Sequence, residues 1–198
     1  IKDNINVAIF DDGLQDRTIN YDLRFVCFNN ITWIGNGFLM PSGPLREKIE
    51  SISKYDAVFL NGNEEDNSKL KLLIKKYNDN IQIFESFYRP ININKLDKDN
   101  KYLIFSGIGN PENFRRMLDK NKVNIAKELK FPDHYKYENE DIKKIKSHAK
   151  ELNAKILTTK KDYVKLNNDP EIQFLDIELI IKEETKLINF VKSYLWNQ

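Results

Sequence analysis

The apolar run Val7-Ala8-Ile9-Phe10 ends in Asp11-Asp12-Gly13, and two neighbouring carboxylates at such an end can hold a hydrated Mg²⁺ or orient a nucleophile. A solvated turn capped by Asp accounts for the same residues equally well. Adjacency counts against an aspartyl-phosphate phosphatase, whose acids sit two apart so that both face one way along a strand. Further on, the stretch from Ile34 to Glu47 gathers three of the seven glycines and two of the six prolines. It ends in Arg46, a planar cation suited to phosphate, and Glu47, a carboxylate suited to a metal; a turn-rich crossover with an exposed ion pair is the plainer account. Of the two histidines, His148 falls among lysines on a face expected to be solvated. His134 follows Phe131-Pro132-Asp133 in a loop, where an imidazole near neutral pKa can accept a proton. Ser106-Gly107-Ile108-Gly109-Asn110-Pro111 reads as strand end, glycine turn and helix start, with tight packing the better explanation of its glycines. No glycine stands in a Gly-x-x-x-x-Gly-Lys-Ser/Thr arrangement, so the chain as given holds no backbone cradle for nucleotide phosphates and is not expected to be a complete P-loop kinase.

These groups need elements to position them. Short β-branched and aromatic runs alternate with helical patterns, which predicts an α/β chain of three layers, with mostly parallel sheets and flanking helices. Strands are expected over 6–10, 23–28, 57–60, 81–84, 102–105, 155–158 and 172–177. Helices are expected over 68–77, 141–152 and 184–195, where apolar residues recur at three and four. The polar stretch after Tyr88, with Pro90 and many Asn and Asp residues, predicts a linker over 89–101 between a first domain, 1–88, and a second, 102–198. In an open parallel sheet, ligands sit outside the carboxyl ends of strands, where the candidate acids are expected.

Composition narrows the class. The 198 residues are 40% hydrophobic with a net charge of +2, so the chain is globular, and the charge is too slight to argue for nucleic acid. Its richness in lysine and asparagine weakens any reading of local basic runs. The single cysteine, Cys27, excludes an internal disulfide and a cysteine-rich zinc cluster, and fits a reducing compartment. No apolar stretch is long enough to span a bilayer. The chain begins at Ile1 without an initiator methionine, and its beginning is expected to lie upstream.

An ordered set of motifs resembles the tetraacyldisaccharide 4'-kinase family, the lipid A 4'-kinases of Gram-negative bacteria. The set is Asp11-Asp12-Gly13-Leu14-Gln15, Gly35-Asn36-Gly37, Pro41-Ser42-Gly43-Pro44-Leu45-Arg46-Glu47, Asn61-Gly62, Ser106 to Pro111, Phe131-Pro132-Asp133-His134 and Leu157 to Leu166. The resemblance implies a P-loop NTPase-like remainder followed by a second, Rossmann-like domain. It implies transfer of the ATP γ-phosphate to the 4'-hydroxyl of a tetraacylated glucosamine disaccharide 1-phosphate, a lipid A precursor, with Mg²⁺ required. It also implies a peripheral place at the cytoplasmic face of the inner membrane, held there by a part preceding Ile1. On the family pattern Asp11, Asp12 and His134 are catalytic. Asp11, Asp12 and Glu47 hold the metal, and Gln15, Asn36, Gly37 and Arg46 bind substrate. An aspartate that works with His134, and the phosphate loop, would precede Ile1. The family usually has Phe and His where Leu14 and Asp16 stand, and Glu where Lys160 stands. Two other readings of the same residues are a non-catalytic glycolipid- or protein-binding module and an Mg²⁺-dependent phosphohydrolase built on Asp11 and Asp12.

Overall fold

The computed structural model describes residues 7–16 and 18–195. In it the chain forms two compact units, one from the chain up to Phe87 together with the stretch from Ile180 onward, the other Tyr88–Leu179.

In the first unit, β1 (Phe25–Asn29), β2 (Ala57–Gly62) and β3 (Gln82–Pro90) run parallel, with α1 (Ser68–Lys75) in the β2 to β3 crossover. Period-two alternation sorts their side chains. Val26, Phe28, Val58, Leu60 and Ile83 turn to one face, where Ile74 of α1 and Ile52 complete a buried cluster. Burying one such side chain stabilises by about 1.5–3 kcal/mol. The expected strand over 6–10 does not form among the described residues. Val7–Phe10 has no regular structure and Ile9 is 92% exposed. A run of strand-like composition becomes a strand only where another strand offers it a ladder, and β1 pairs with β2 alone among the described residues.

In the second unit, β4 (Lys101–Ser106), α2 (Pro111–Lys120), β5 (Asn124–Lys130), α3 (Asn139–Glu151), β6 (Ala154–Thr159), α4 (Lys160–Tyr163) and β7 (Ile172–Leu175) follow in turn. The sheet order is β5-β4-β6-β7, all parallel. Central β4 is apolar on both faces. Tyr102 and Ile104 pack with Phe114 and Leu118 of α2, while Leu103 and Phe105 pack with Ile145 and Ala149 of α3. Asn110 caps α2 by accepting from the Asn113 N–H at 3.2 Å, and Pro111 at the first helical position gives up no needed donor.

The remaining elements, β8 (Ile177–Ile181) and α5 (Glu184–Leu195), revise the expected domain limits. The sheet order β1-β2-β3-β8 joins the end of the chain to the first sheet, and Phe190 of α5 lies 6.1 Å from the Phe25 ring and 5.6 Å from the Phe84 ring. Residues 180–195 therefore belong with the first unit and not with 102–179, because the second face of β1 to β3 is apolar and α5 covers it. The expected linker over 89–101 is also structured. β3 continues through Pro90, Leu96 is buried, and the Asn92 side chain donates to Phe174 O at 2.8 Å and accepts from Asp176 N at 2.8 Å. Asn92 thus satisfies backbone groups of the second unit, a role that composition alone cannot distinguish from solvation. His148, expected in solvent, is half-buried.

Candidate active site

The loop leaving the carboxyl end of β1 carries four of the candidate residues. Asn29 Oδ1 accepts from Ile31 N at 2.9 Å and Thr32 N at 3.2 Å, turning the chain off the sheet. Gly35 and Gly37 then take left-handed φ of 57° and 77°, which a side chain resists. The loop closes on itself: Met40 N donates to Leu45 O at 2.8 Å, and Asn36 Nδ2 donates to Ser42 O at 2.8 Å. A Cβ on Gly43 would stand 2.2 Å from Asn36 Oδ1 and 2.3 Å from Phe38 O, so only glycine fits the crossing. Asn36 and Gly37 thus build the loop, with the Asn36 carboxamide engaged inside it.

That loop aims Arg46 at the acidic bend. Arg46 Nη1 donates to Asp12 Oδ1 at 2.5 Å and reaches Gln15 Oε1 at 3.4 Å. Both members of the ion pair are exposed. Asp12 sits at φ 57°, a conformation Asp tolerates better than most residues, and the bend is fastened by Tyr21, whose hydroxyl donates to Gly13 O at 2.7 Å. Structure therefore brings Asp12, Gln15 and Arg46 together from positions more than thirty residues apart, with exposed Asp11 next in sequence. Glu47 turns elsewhere. It accepts from the Tyr55 hydroxyl at 3.0 Å and lines a cleft of about 620 Å³ with Leu14, Tyr21, Arg24 and Lys48. Burial first, then the hydrogen bond to Glu47 and its charge, push the Tyr55 phenol up to about 12, so it stays a donor. Among the described residues no three His, Cys, Asp or Glu side chains gather to hold a metal by themselves, so Asp11, Asp12 and Glu47 do not form one set. Asp16 is a turn former: its carboxylate accepts from Thr18 N at 2.9 Å and Thr18 Oγ1 at 2.6 Å, which hold it below its ordinary value.

His134 belongs to the second unit, in the loop after β5. Its side chain is 76% exposed and its Nε2 stands 3.8 Å from Asp133 Oδ2, too far for a hydrogen bond. Its backbone is held more firmly, at φ 59°, with the N–H shared between Asp133 Oδ1 at 2.9 Å and Gly107 O at 3.2 Å. Beneath the loop lies a fully buried carboxylate, Asp162, which nothing in the sequence marks as a functional group. The motif from Leu157 to Leu166 contains it, and a lone acid three residues after Thr159 is a signal for helix capping. Lys160, where the family pattern has Glu, pairs with Asp176 at 2.6 Å.

The family model for Tetraacyldisaccharide-1-P 4'-kinase matches residues 1–195. The chain belongs to this family. A tetraacyldisaccharide 4'-kinase of Pelagibacter ubique is 51% identical over 191 residues, covering 96% of this chain and 61% of the relative. One from Rickettsia typhi is 39% identical over 180 residues, covering 89% of this chain and 54% of the relative. The fold is similar to that of Aquifex aeolicus LpxK, solved in complex with ATP, with a TM-score of 0.61 and 23% identity over 93% of this chain and 56% of that one. The chain thus spans only 54–61% of the length of these relatives. Among the described residues no helix is long and apolar enough to cross a membrane.

Proposed function

We propose that this chain is part of a kinase that transfers the γ-phosphate of ATP to the 4'-hydroxyl of a tetraacyldisaccharide 1-phosphate, a lipid A precursor, at the cytoplasmic face of the inner membrane. The observation that carries this reading is the contact of Arg46 with Asp12 and Gln15, which joins the acidic bend to the glycine-rich loop. Two carboxylates suffice for Mg²⁺, which binds through one or two acids plus substrate phosphates and keeps several waters. Asp11 and Asp12, exposed on a bend, fit that demand without Glu47. The ion, when bound, neutralises charge on the β- and γ-phosphate oxygens.

In this reading Arg46 supplies a planar donor to phosphate oxygens and Asp12 holds its guanidinium ready. The acceptor's 4'-oxygen forms the new bond to the γ-phosphorus, the bond to the bridging oxygen breaks with its electrons leaving on ADP, and the hydroxyl proton passes to the His134 imidazole. Exposure of His134 keeps the ring accessible to such a hydroxyl. The peripheral membrane location rests on the acylated substrate. The test uses the protein from its full reading frame with ATP, Mg²⁺ and the acylated disaccharide. His134→Ala is expected to lose transfer by about 10²–10⁴-fold while ATP affinity is kept. Equal transfer rates in variant and parent would remove His134 from the reaction, and phosphate release from small esters without an acceptor would point to a phosphohydrolase instead.

A further inference from the structure

In the second sheet the chain passes from β4 outward to β5 on one side and from β6 outward to β7 on the other. The change of direction falls between β4 and β6, the crevice where open parallel sheets bind ligands. Here the side chain of Asp162 occupies it. The carboxylate is fully buried and accepts from Gly107 N at 2.9 Å, Thr159 Oγ1 at 2.9 Å and Lys165 Nζ at 2.9 Å. A carboxylate removed from water needs that many donors and a cation.

Two of these three partners of Asp162, Gly107 and Lys165, lead to the loop that carries His134. Gly107, whose N–H is bound by Asp162, accepts the His134 N–H with its own carbonyl at 3.2 Å. Lys165 Nζ also reaches the carbonyl of Tyr135, the next residue, at 3.4 Å. The loop lies so close on Gly107 that a Cβ there would meet Tyr137 Oη at 3.0 Å, Tyr135 Cβ at 3.1 Å and Pro132 O at 3.2 Å. Burial first, and the Asp162 charge second, push the Tyr137 phenol upward, so the group over the carboxylate stays neutral. Left-handed φ at a histidine persists where surrounding contacts over-determine it, and these contacts do so from both sides.

We infer that Asp162, paired with Lys165, is a positioning residue for His134: the pair clamps the imidazole-bearing loop through the N–H and C=O of Gly107 on one side and, by way of Lys165, through the Tyr135 carbonyl on the other. The inference rests on the proposed role of His134 as base. In the enzyme from its full reading frame, Asp162→Asn is expected to lower kcat about 10- to 100-fold, the scale of a misplaced catalytic group, with KM for ATP within about twofold. Protection of the His134 amide from hydrogen exchange should fall in the same variant, because of its two acceptors only Asp133 Oδ1 is independent of Asp162. In a His134→Ala background, Asp162→Asn should change the residual rate less than about twofold, because a group acting through the imidazole then has nothing to position. An equal fractional loss in both backgrounds, or unchanged kcat with unchanged exchange, overturns the inference. Should Asp162→Asn fail to fold, Asp162→Ala with Lys165→Met removes both charges and leaves neither unpaired, and the same outcomes decide. If His134→Ala alone keeps the parental rate, the base reading fails. The exchange measurement then decides the clamp separately, with retained protection overturning it.

Discussion

Arg46→Ala separates chemistry from architecture, because the two roles open to this side chain differ in size. Arg46 and Asp12 are 54% and 62% exposed in their side chains, and an ion pair so solvated contributes about 0–1 kcal/mol. For a protein of this length or longer about 1 kcal/mol moves Tm by roughly 4 °C at most, so the variant should melt within about 4 °C of the parent. If the guanidinium faces the transferred phosphoryl group, losing an oriented donor there raises the barrier by about 2.7–4 kcal/mol, or roughly 10²–10³ in kcat. Arg46→Lys restores the charge without the planar fork and should recover only part of the rate. The assay pairs a melting curve with acceptor-dependent ADP release, using the protein from its full reading frame. A parental kcat in Arg46→Ala would refute the phosphate contact. A Tm fall beyond about 6 °C would show that the guanidinium holds the acidic bend in place.

Two further outcomes test the architecture. Burial opposes ionisation of Glu85, but hydrogen bonds from Lys71 at 2.5 Å, Asn67 at 2.6 Å and Lys182 at 3.3 Å outweigh it and hold the carboxyl below its ordinary 4.5. A depressed value stabilises the fold fully above the unfolded pKa and ceases to as pH falls through the folded one, so the Tm gap between parent and Glu85→Gln should narrow below about pH 4.5; a constant gap would contradict this. Phe190→Ala strips α5 of its contacts with Phe25 and Phe84 and should cost about 2–3 kcal/mol, less than a fully buried Phe. Hydrogen exchange should quicken in β1 to β3 and not in β4 to β7, and the reverse pattern would return α5 to the second unit.

What the sequence discloses of the fold depends on whether one element carries its own period. Helices α1, α3 and α5 do, and central strands β4 and β6 stand out as apolar runs because both their faces are covered. Strand β5 escapes the same reading for a specific reason. Its register against β4 passes from Tyr102↔Ile125 to Leu103↔Lys127, so Ala126 is an extra residue that flips the faces. Ile125 consequently packs with the α2 cluster and Leu129 with the α3 cluster, although even spacing would put them on one face. Asn-Ile-Ala-Lys-Glu-Leu-Lys shows no alternation because the bulge interrupts it.

For the site, legibility stops where topology begins. Asp12, Arg46 and His134 are visible from sequence as groups able to do chemistry, since acid, guanidinium and imidazole in glycine- or proline-marked loops are a restricted set. What holds them is not visible. The partner of Arg46 lies 34 residues away, and Asp162 reaches Gly107 across 55. Neither separation has a period that a helix or strand imposes. The second contact exists because β5-β4-β6-β7 places the ends of β4 and β6 side by side, a consequence of strand order. Asp162 is therefore a residue whose type is ordinary and whose position is not. In a crevice that usually receives a ligand, a buried carboxylate with three donors ties the carboxyl ends of β4 and β6 together, and the loop that carries His134 stands on that tie.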